Sequence, residues 1–349
     1  MQRRTAFQPL RGGVEAGRAK MPNEIILLSR SDVESLMPFG EYVDAVATAF
    51  RVHAEGRAVS PAPLHIPVEG GGFHVKSASL PLGRRYVAIK TNSNFPQNRS
   101  LRDLPTIQGA ILLLDADDGT PLAFLDSMEI TLKRTGAATA VAGRYLARPD
   151  SRTATICGCG EQGRIQLAAL RHVLDIKRVF AWDKDAAAAA GFAGAMSKQH
   201  GIDVATAPNL RAATLESDVI VTCTPSRVPY LGVDDVRPGT FIAAVGADNP
   251  QKSEIHPDLM ARATVVTDIL AQCATMGDLH HAIRAGRMTA EAVYAELGDL
   301  VIGRRRGRSG ADEITIFDSS GTGVQDVAAA ARAFELARER GIGTRFQLA

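Results

Sequence analysis

Apolar and polar positions follow one rhythm up to about residue 150 and another beyond it. Residues 24–28, Glu-Ile-Ile-Leu-Leu, read as a short strand. Ser31 with Glu34 three residues later is a capping-box pattern and predicts a helix start there. Tyr42, Val43, Val46, Ala47 and Phe50 fall on one face of a helix spanning 40–55. A Pro-rich stretch with β-like runs follows (Pro61, Pro63, Pro67). Strands are predicted over 72–80, 86–92, 106–114 and 121–126, the last two joined at the turn Asp117-Asp118-Gly119-Thr120-Pro121. A long helix is predicted over 127–147, ended by Pro149.

Beyond residue 150, short apolar runs alternate with helical stretches. The runs are Thr153–Cys157, Arg178–Trp182, Asp218–Cys223, Thr240–Val245 and Thr264–Asp268, with Ile314–Phe317 as a last strand. This alternation predicts a parallel sheet covered on both faces. Residues 324–340 are Ala-rich and helical, and Gly341 and Gly343 close the chain.

Composition narrows the class. The 349 residues are 45% hydrophobic and 22% charged, which excludes disorder. No apolar run is long enough to span a bilayer. Four Cys make no disulfide scaffold and have no zinc spacing, and His256, His280 and His281 have no ligand partners at useful spacing, so no metal is expected. The formal net charge of +2 argues against a nucleic-acid binder. Arg304, Arg305, Arg306 and Arg308 fall in a predicted loop without interleaved aromatics and read as a solvated loop. Much of the positive charge lies in residues 1–20, where five basic residues face the single acid Glu15. That segment reads as a disordered leader, and setting it aside leaves 35 basic against 37 acidic residues, a net −2.

The strand Thr153–Cys157 runs into Gly158-Cys159-Gly160-Glu161-Gln162-Gly163 and then a helix. This is G-x-G-x-x-G in the strand–turn–helix setting of a dinucleotide site. The glycines let backbone approach a pyrophosphate at a helix N-terminus. Asp183, about twenty residues on, ends the next strand where a carboxylate grips a ribose diol. It would repel a 2′-phosphate and so favours NAD over NADP, a preference that the adjacent Lys184 weakens. Cys157 and Cys159 read as a strand residue and a small filler, and Trp182 as core or cofactor-edge packing.

Four blocks, Lys90–Pro96 with Leu104–Gln108, Leu132–Ala138, the glycine loop with Gln162, and Val245–Glu254, occur together with Phe317–Gly321. In this order they resemble the ornithine cyclodeaminase/mu-crystallin family over nearly the whole chain after the leader. That family holds ornithine and lysine cyclodeaminases, an alanine dehydrogenase, reductases of ketimines and cyclic imines, and mu-crystallin. The resemblance implies an α/β fold: a Rossmann NAD-binding domain (149–321) and an N-terminal α+β substrate and dimerisation domain (21–148) completed by the C-terminal helix (322–349). It implies a homodimer, a cytoplasmic setting and hydride transfer at the α-carbon of a small L-amino acid. The leading form is ornithine-cyclodeaminase-like, with ammonia release. The alternatives are an alanine-dehydrogenase-like enzyme, a ketimine or Δ1-pyrroline-2-carboxylate reductase, and a crystallin-like binding protein.

Lys90 follows an apolar run, so it needs an anion partner. By resemblance Lys90 binds substrate and takes part in catalysis, Arg134 holds the carboxylate, Thr106 lines the pocket, and Asp248 holds the amine and moves protons. Pro63 stands where many members have a basic residue. His74 and Lys76 share one face of a strand. That face could point into the pocket, replacing the lost cation or reading a second polar group, or out to solvent. Cofactor contacts are expected at Gly158, Gly160, Glu161, Gln162, Asp183, Thr222, Thr224, Pro225, Val245, Gly246 and Ser319, with Ser320 and Gly321 near the nicotinamide. Lys133 and Lys252 read as surface charges.

Overall fold

The computed structural model describes residues 24–348; the leader read over 1–20 lies outside them. The first half contains β1 (Glu24–Leu28), α1 (Arg30–Leu36), α2 (Phe39–Ala54), β2 (Leu64–Val68), β3 (Gly71–Leu82), β4 (Arg84–Asn94), α3 (Asn98–Arg102), β5 (Ile107–Asp115), β6 (Pro121–Asp126) and α4 (Ser127–Leu146). The cap of α1 is Ser29, not Ser31. Ser29 Oγ accepts from the Asp32 amide, and the Asp32 carboxylate accepts from the Ser29 amide at 2.9 Å. Asp32, three residues on, closes the box on Ser29 and starts the helix earlier than expected.

The second half contains β7 (Thr153–Cys157), α5 (Glu161–Val173), β8 (Arg178–Trp182), α6 (Ala186–His200), β9 (Asp203–Thr206), α7 (Leu210–Glu216), β10 (Val219–Thr222) and β11 (Phe241–Ala244). It continues with α8 (Pro257–Arg262), β12 (Thr264–Thr267), α9 (Leu270–Cys273), α10 (Asp278–Arg284), β13 (Ala295–Glu296), α11 (Leu297–Val301), β14 (Thr315–Asp318), α12 (Gly323–Arg340) and β15 (Thr344–Gln347). β9 and β15 were not expected. Each is a four-residue edge strand with few buried positions, so neither has a strong apolar signature. Gly341 does end α12 in the left-handed conformation, but the chain then turns back as β15 to pair antiparallel with β1.

Two sheets result. The first has seven strands in the order β15-β1-β6-β5-β4-β3-β2. Its inner face carries Tyr86, Ala88, Ile111 and Leu113, all buried, and α12 lies against β3 and β4. The outer face is also apolar. Leu27, Phe124, Leu112 and Ile89 are register partners across β1, β6, β5 and β4, and all but the half-buried Leu112 are more than a third exposed.

The second sheet has eight parallel strands in the order β13-β12-β14-β11-β10-β7-β8-β9. The fully buried runs of β10 and β11 are what a sheet covered on both faces requires. From β7 the chain winds outward through β8 to β9, then returns to β7's other side at β10. The β7–β10 pair is therefore the topological switch point, where ligands of open α/β sheets bind. α4 bridges the halves. A Cβ on its Gly136 would meet Ile165 of α5 at 2.9 Å, so only glycine lets the two helices approach this closely.

Candidate functional site

The glycine loop sits at that switch point. Gly158 has φ +104°, and a Cβ there would meet the Cys223 carbonyl oxygen at 2.8 Å, so the loops after β7 and β10 approach as bare backbone. A Cβ on Gly160 would meet nothing within 4 Å, and Gly160 caps α5 with no side-chain hydrogen bond. The first amides of α5 are thus open toward a free volume, the setting for a pyrophosphate. Asp183 follows β8, and its Oδ2 accepts from the Cys159 amide at 2.9 Å, which places the carboxylate beside the loop. These residues fit a dinucleotide. Burial pushes the Cys159 thiol up to about 12, so it is a neutral filler here. Trp182 packs against Tyr230, ring centroids 5.2 Å apart.

The residues expected to touch cofactor after β10 and β11 are organised by a carboxylate that the sequence reading passed over. Glu254 Oε1 accepts from the Thr224 amide (2.7 Å), Thr224 Oγ1 (2.6 Å) and the Tyr230 hydroxyl (2.9 Å), and its Oε2 accepts from the Gly246 amide (3.0 Å). Glu254 therefore ties together the two loops that border the cleft. Thr222 and Val245 are buried at the strand ends, and Pro225 is exposed beyond them. Ser319 and Ser320 are buried, their hydroxyls reaching Asp268 at 3.4 and 2.8 Å. Glu254's own amide is held by Asp278, whose carboxyl is pushed up to about 7 by burial and by the Glu254 charge.

Beside the glycine loop lies a cavity of about 510 Å³. β3 contributes His74 and Lys76, β4 contributes Lys90 and Asn92, and α4 contributes Thr131 and Arg134. Thr106, Glu161, Gln162 and Asp248 complete the walls, so the expected substrate residues and two of the loop residues share one space. The face bearing His74 and Lys76 points into it.

Lys90 is 3% exposed and finds its anion in Asp326 of α12, Nζ to Oδ2 2.7 Å. Arg134 Nε meets the other oxygen at 3.0 Å, and its Nη1 donates to Gln325. Asp326 was not foreseen, because an Asp in an Ala-rich helix carries no local sign of its partners. Burial lowers the Lys90 ammonium to about 7, with Asp326 opposing and Arg134 and Lys76 adding to the shift. The half-buried Lys76 donates to the carbonyls of Ser320 (3.0 Å) and Gly321 (2.6 Å).

Asp248 stands past the carboxyl end of β11, 52% exposed, with Lys252 Nζ 2.8 Å away. Removal from bulk water pushes its carboxyl up, but Lys252, then Lys76 and His74, more than reverse this and hold it below the ordinary value. Lys252 is therefore no surface charge: its side chain is 19% exposed and paired with Asp248. Lys133 is also placed differently, 26% exposed and 3.4 Å from the buried Glu129. Of the arginine run, Arg304 to Arg306 are exposed, but Arg308 folds inward to donate to the Leu146 carbonyl and Thr315.

Among the described residues no cluster of His, Cys, Asp or Glu could hold a metal ion, and no helix is long and apolar enough to cross a membrane.

An alanine dehydrogenase of Archaeoglobus fulgidus is 37% identical, over 93% of this chain and 98% of its own length. An archaeal alanine dehydrogenase dimer solved with bound NAD superimposes with TM-score 0.89 at 36% identity, over 93% of this chain and all of that one. The Δ1-pyrroline-2-carboxylate reductase of Thermococcus litoralis, solved with NADH and L-proline, gives 0.87 at 34% identity, over 92% and 99% of the two chains. The sequence model of one family matches residues 23–341, and the chain belongs to it: the ornithine cyclodeaminase/mu-crystallin family.

Proposed function

We propose that the protein is an NAD(H)-linked oxidoreductase acting at the α-carbon of a small amino acid or its imine. The observation that carries this is the convergence of Lys90, Arg134 and Asp248 on one cavity bordered by Glu161 and Gln162 of the glycine loop. Bound at that loop, the nicotinamide supplies a hydride acceptor or donor. Lys90 and Arg134, sharing only Asp326, keep one positive charge for a substrate carboxylate. Asp248, ionised and exposed to the cavity, takes the amine and its proton. Asp183 favours NAD over NADP.

Residues 21–148 with 322–349 act as the substrate and dimerisation domain and 149–321 as the cofactor domain. A second copy covers the row Leu27, Phe124, Leu112, Ile89, since an exposed apolar band across four strands calls for a partner. All four cysteines are free thiols, which suits a reducing, cytoplasmic setting.

A cyclodeaminase is the second reading, favoured by the ionised Asp248, which could hold a diamine while its side-chain nitrogen closes a ring and ammonia leaves. A crystallin-like binder has no need of the full Lys90, Arg134 and Asp248 set. One screen separates the three: amino acids with NAD or NADP, following NADH (or NADPH) and ammonia together, and imines with NADH. Both signals, or imine-dependent NADH loss, support the oxidoreductase. Ammonia without NADH from ornithine or lysine supports the cyclodeaminase. No signal in either direction leaves the binder.

A further inference from the structure

The cavity holds more positive charge than a monocarboxylate substrate can use. With Lys90 protonated, Asp326 offsets one charge of the Lys90–Arg134 pair, leaving one for the α-carboxylate. Asp248 is offset by Lys252, Arg30 shares Glu129 with Lys133 at 3.8 and 3.4 Å, and Glu161 stands 3.8 Å from Arg164. Two wall cations remain without a carboxylate partner among the described residues, Lys76 and Arg99. Within hydrogen-bond reach Lys76 meets only the neutral carbonyls of Ser320 and Gly321, which engage two of its three N–H donors; burial and Arg134 lower its ammonium, and Asp248, Asp326 and Asp268 oppose this from beyond ion-pair distance.

Position matters as much as count. Lys76 and Lys90 are register partners across β3 and β4, on the face that looks into the cavity. Directly opposed side chains on antiparallel strands start about 5 Å apart. The two ammonium groups border the same cavity, one on the Asp326 carboxylate and the other on the Ser320 and Gly321 carbonyls. His74, two residues along the same face, is stacked on His65 with centroids 4.4 Å apart and adds a ring-nitrogen hydrogen-bond site.

We propose that the substrate is a dicarboxylic α-amino acid of four or five carbons, or its imino or 2-oxo form, with Lys90 and Arg134 taking the α-carboxylate and Lys76 the second. Arg99, at the rim, draws the dianion in. This rests on the oxidoreductase reading. It also sets the site against diamines, whose second ammonium would face Lys76. The reaction balances as amino diacid plus NAD+ plus water giving 2-oxo diacid, ammonium, NADH and a proton. The Cα–H leaves as hydride, the nitrogen loses a proton as C=N forms, and water then breaks the C–N bond.

The test runs in reverse with the full chain, NADH and excess ammonium, comparing pyruvate, oxaloacetate and 2-oxoglutarate. The expected result is a kcat/KM for one diacid at least about tenfold above that for pyruvate, the worth of one well-placed charge contact. Lys76→Met should cut that ratio about tenfold, and Lys76→Arg should retain most of it. Arg99→Gln, on an exposed helix and so no threat to folding, should lower the ratio about threefold. An active enzyme that prefers pyruvate, or whose ratio neither Lys76→Met nor Arg99→Gln lowers, overturns the diacid assignment and leaves the oxidoreductase reading intact. An absence of NADH oxidation with every acid overturns the reading beneath it.

Discussion

Lys90 Nζ lies 2.7 Å from Asp326 Oδ2, joining a strand of the first sheet to the C-terminal helix at the cavity beside the glycine loop. Both side chains are almost wholly buried, so each is the other's main compensation for lost water. Asp326→Asn should cost about 3 kcal/mol of stability, because Lys90 and Arg134 are then left facing each other. Adding Lys90→Met should recover at least ~1 kcal/mol of it. Urea unfolding of the two single variants and the double variant measures this, and strict additivity would sink the idea.

In the proposed reaction the Asp248–Lys252 pair handles the amine proton. Asp248→Ala should lower kcat by roughly 100-fold or more while NAD affinity, read by fluorescence titration, stays nearly unchanged. Loss of NAD binding would place the residue at the cofactor instead. Lys252→Met removes the cation that holds the Asp248 carboxyl low, so its pKa rises and the acid limb of the kcat/KM profile moves to higher pH. An unmoved acid limb would mean that Asp248 is not the titrating group.

Carboxylate binding should carry the titration of Lys90. Burial brings its ammonium to about 7, so it is charged below that pH and neutral above. KM for the acid substrate should therefore rise as pH passes about 7. Lys90→Arg should flatten the rise, since a guanidinium stays charged. A KM of the native protein that is constant across this range contradicts the assignment.

Cofactor choice should turn on Asp183. Asp183→Ser removes the carboxylate that a 2′-phosphate would meet, and the NADP-to-NAD ratio of kcat/KM should climb about tenfold or more. If the ratio holds still, Asp183 does not face the ribose.

The outer sheet face is tested by Phe124→Lys, which puts a charge into the apolar row between Leu27 and Leu112. Light scattering should show a dimer for the native chain and a monomer for the variant. A variant that remains dimeric places the interface elsewhere.

Features built from neighbouring residues were open to reading from the sequence. β7 and β8 lie at their expected limits, and the glycine loop falls between a strand and a helix as its pattern requires. Each is encoded by apolar period, turn chemistry and caps within a dozen residues. Lys90, Arg134 and Asp248 were named because their blocks resemble a family, and Lys90 announced its need of an anion by lying after an apolar run. What that anion is could not be read, since Asp326 lies 192 residues beyond Arg134 in the chain.

Tertiary structure alone decided four things: that Asp326 pairs with two cations at once, that Lys252 serves Asp248, that Glu254 ties two loops, and that Lys76 faces the cavity opposite Lys90. Apart from Lys252, which reaches Asp248 within one loop, each depends on distance between elements, which sequence spacing does not encode. Local hydrogen bonding and hydrophobic period select the helices and strands. Only packing the second half's loops and α12 against the first sheet sets which charges meet, and so how much positive charge is left for a substrate.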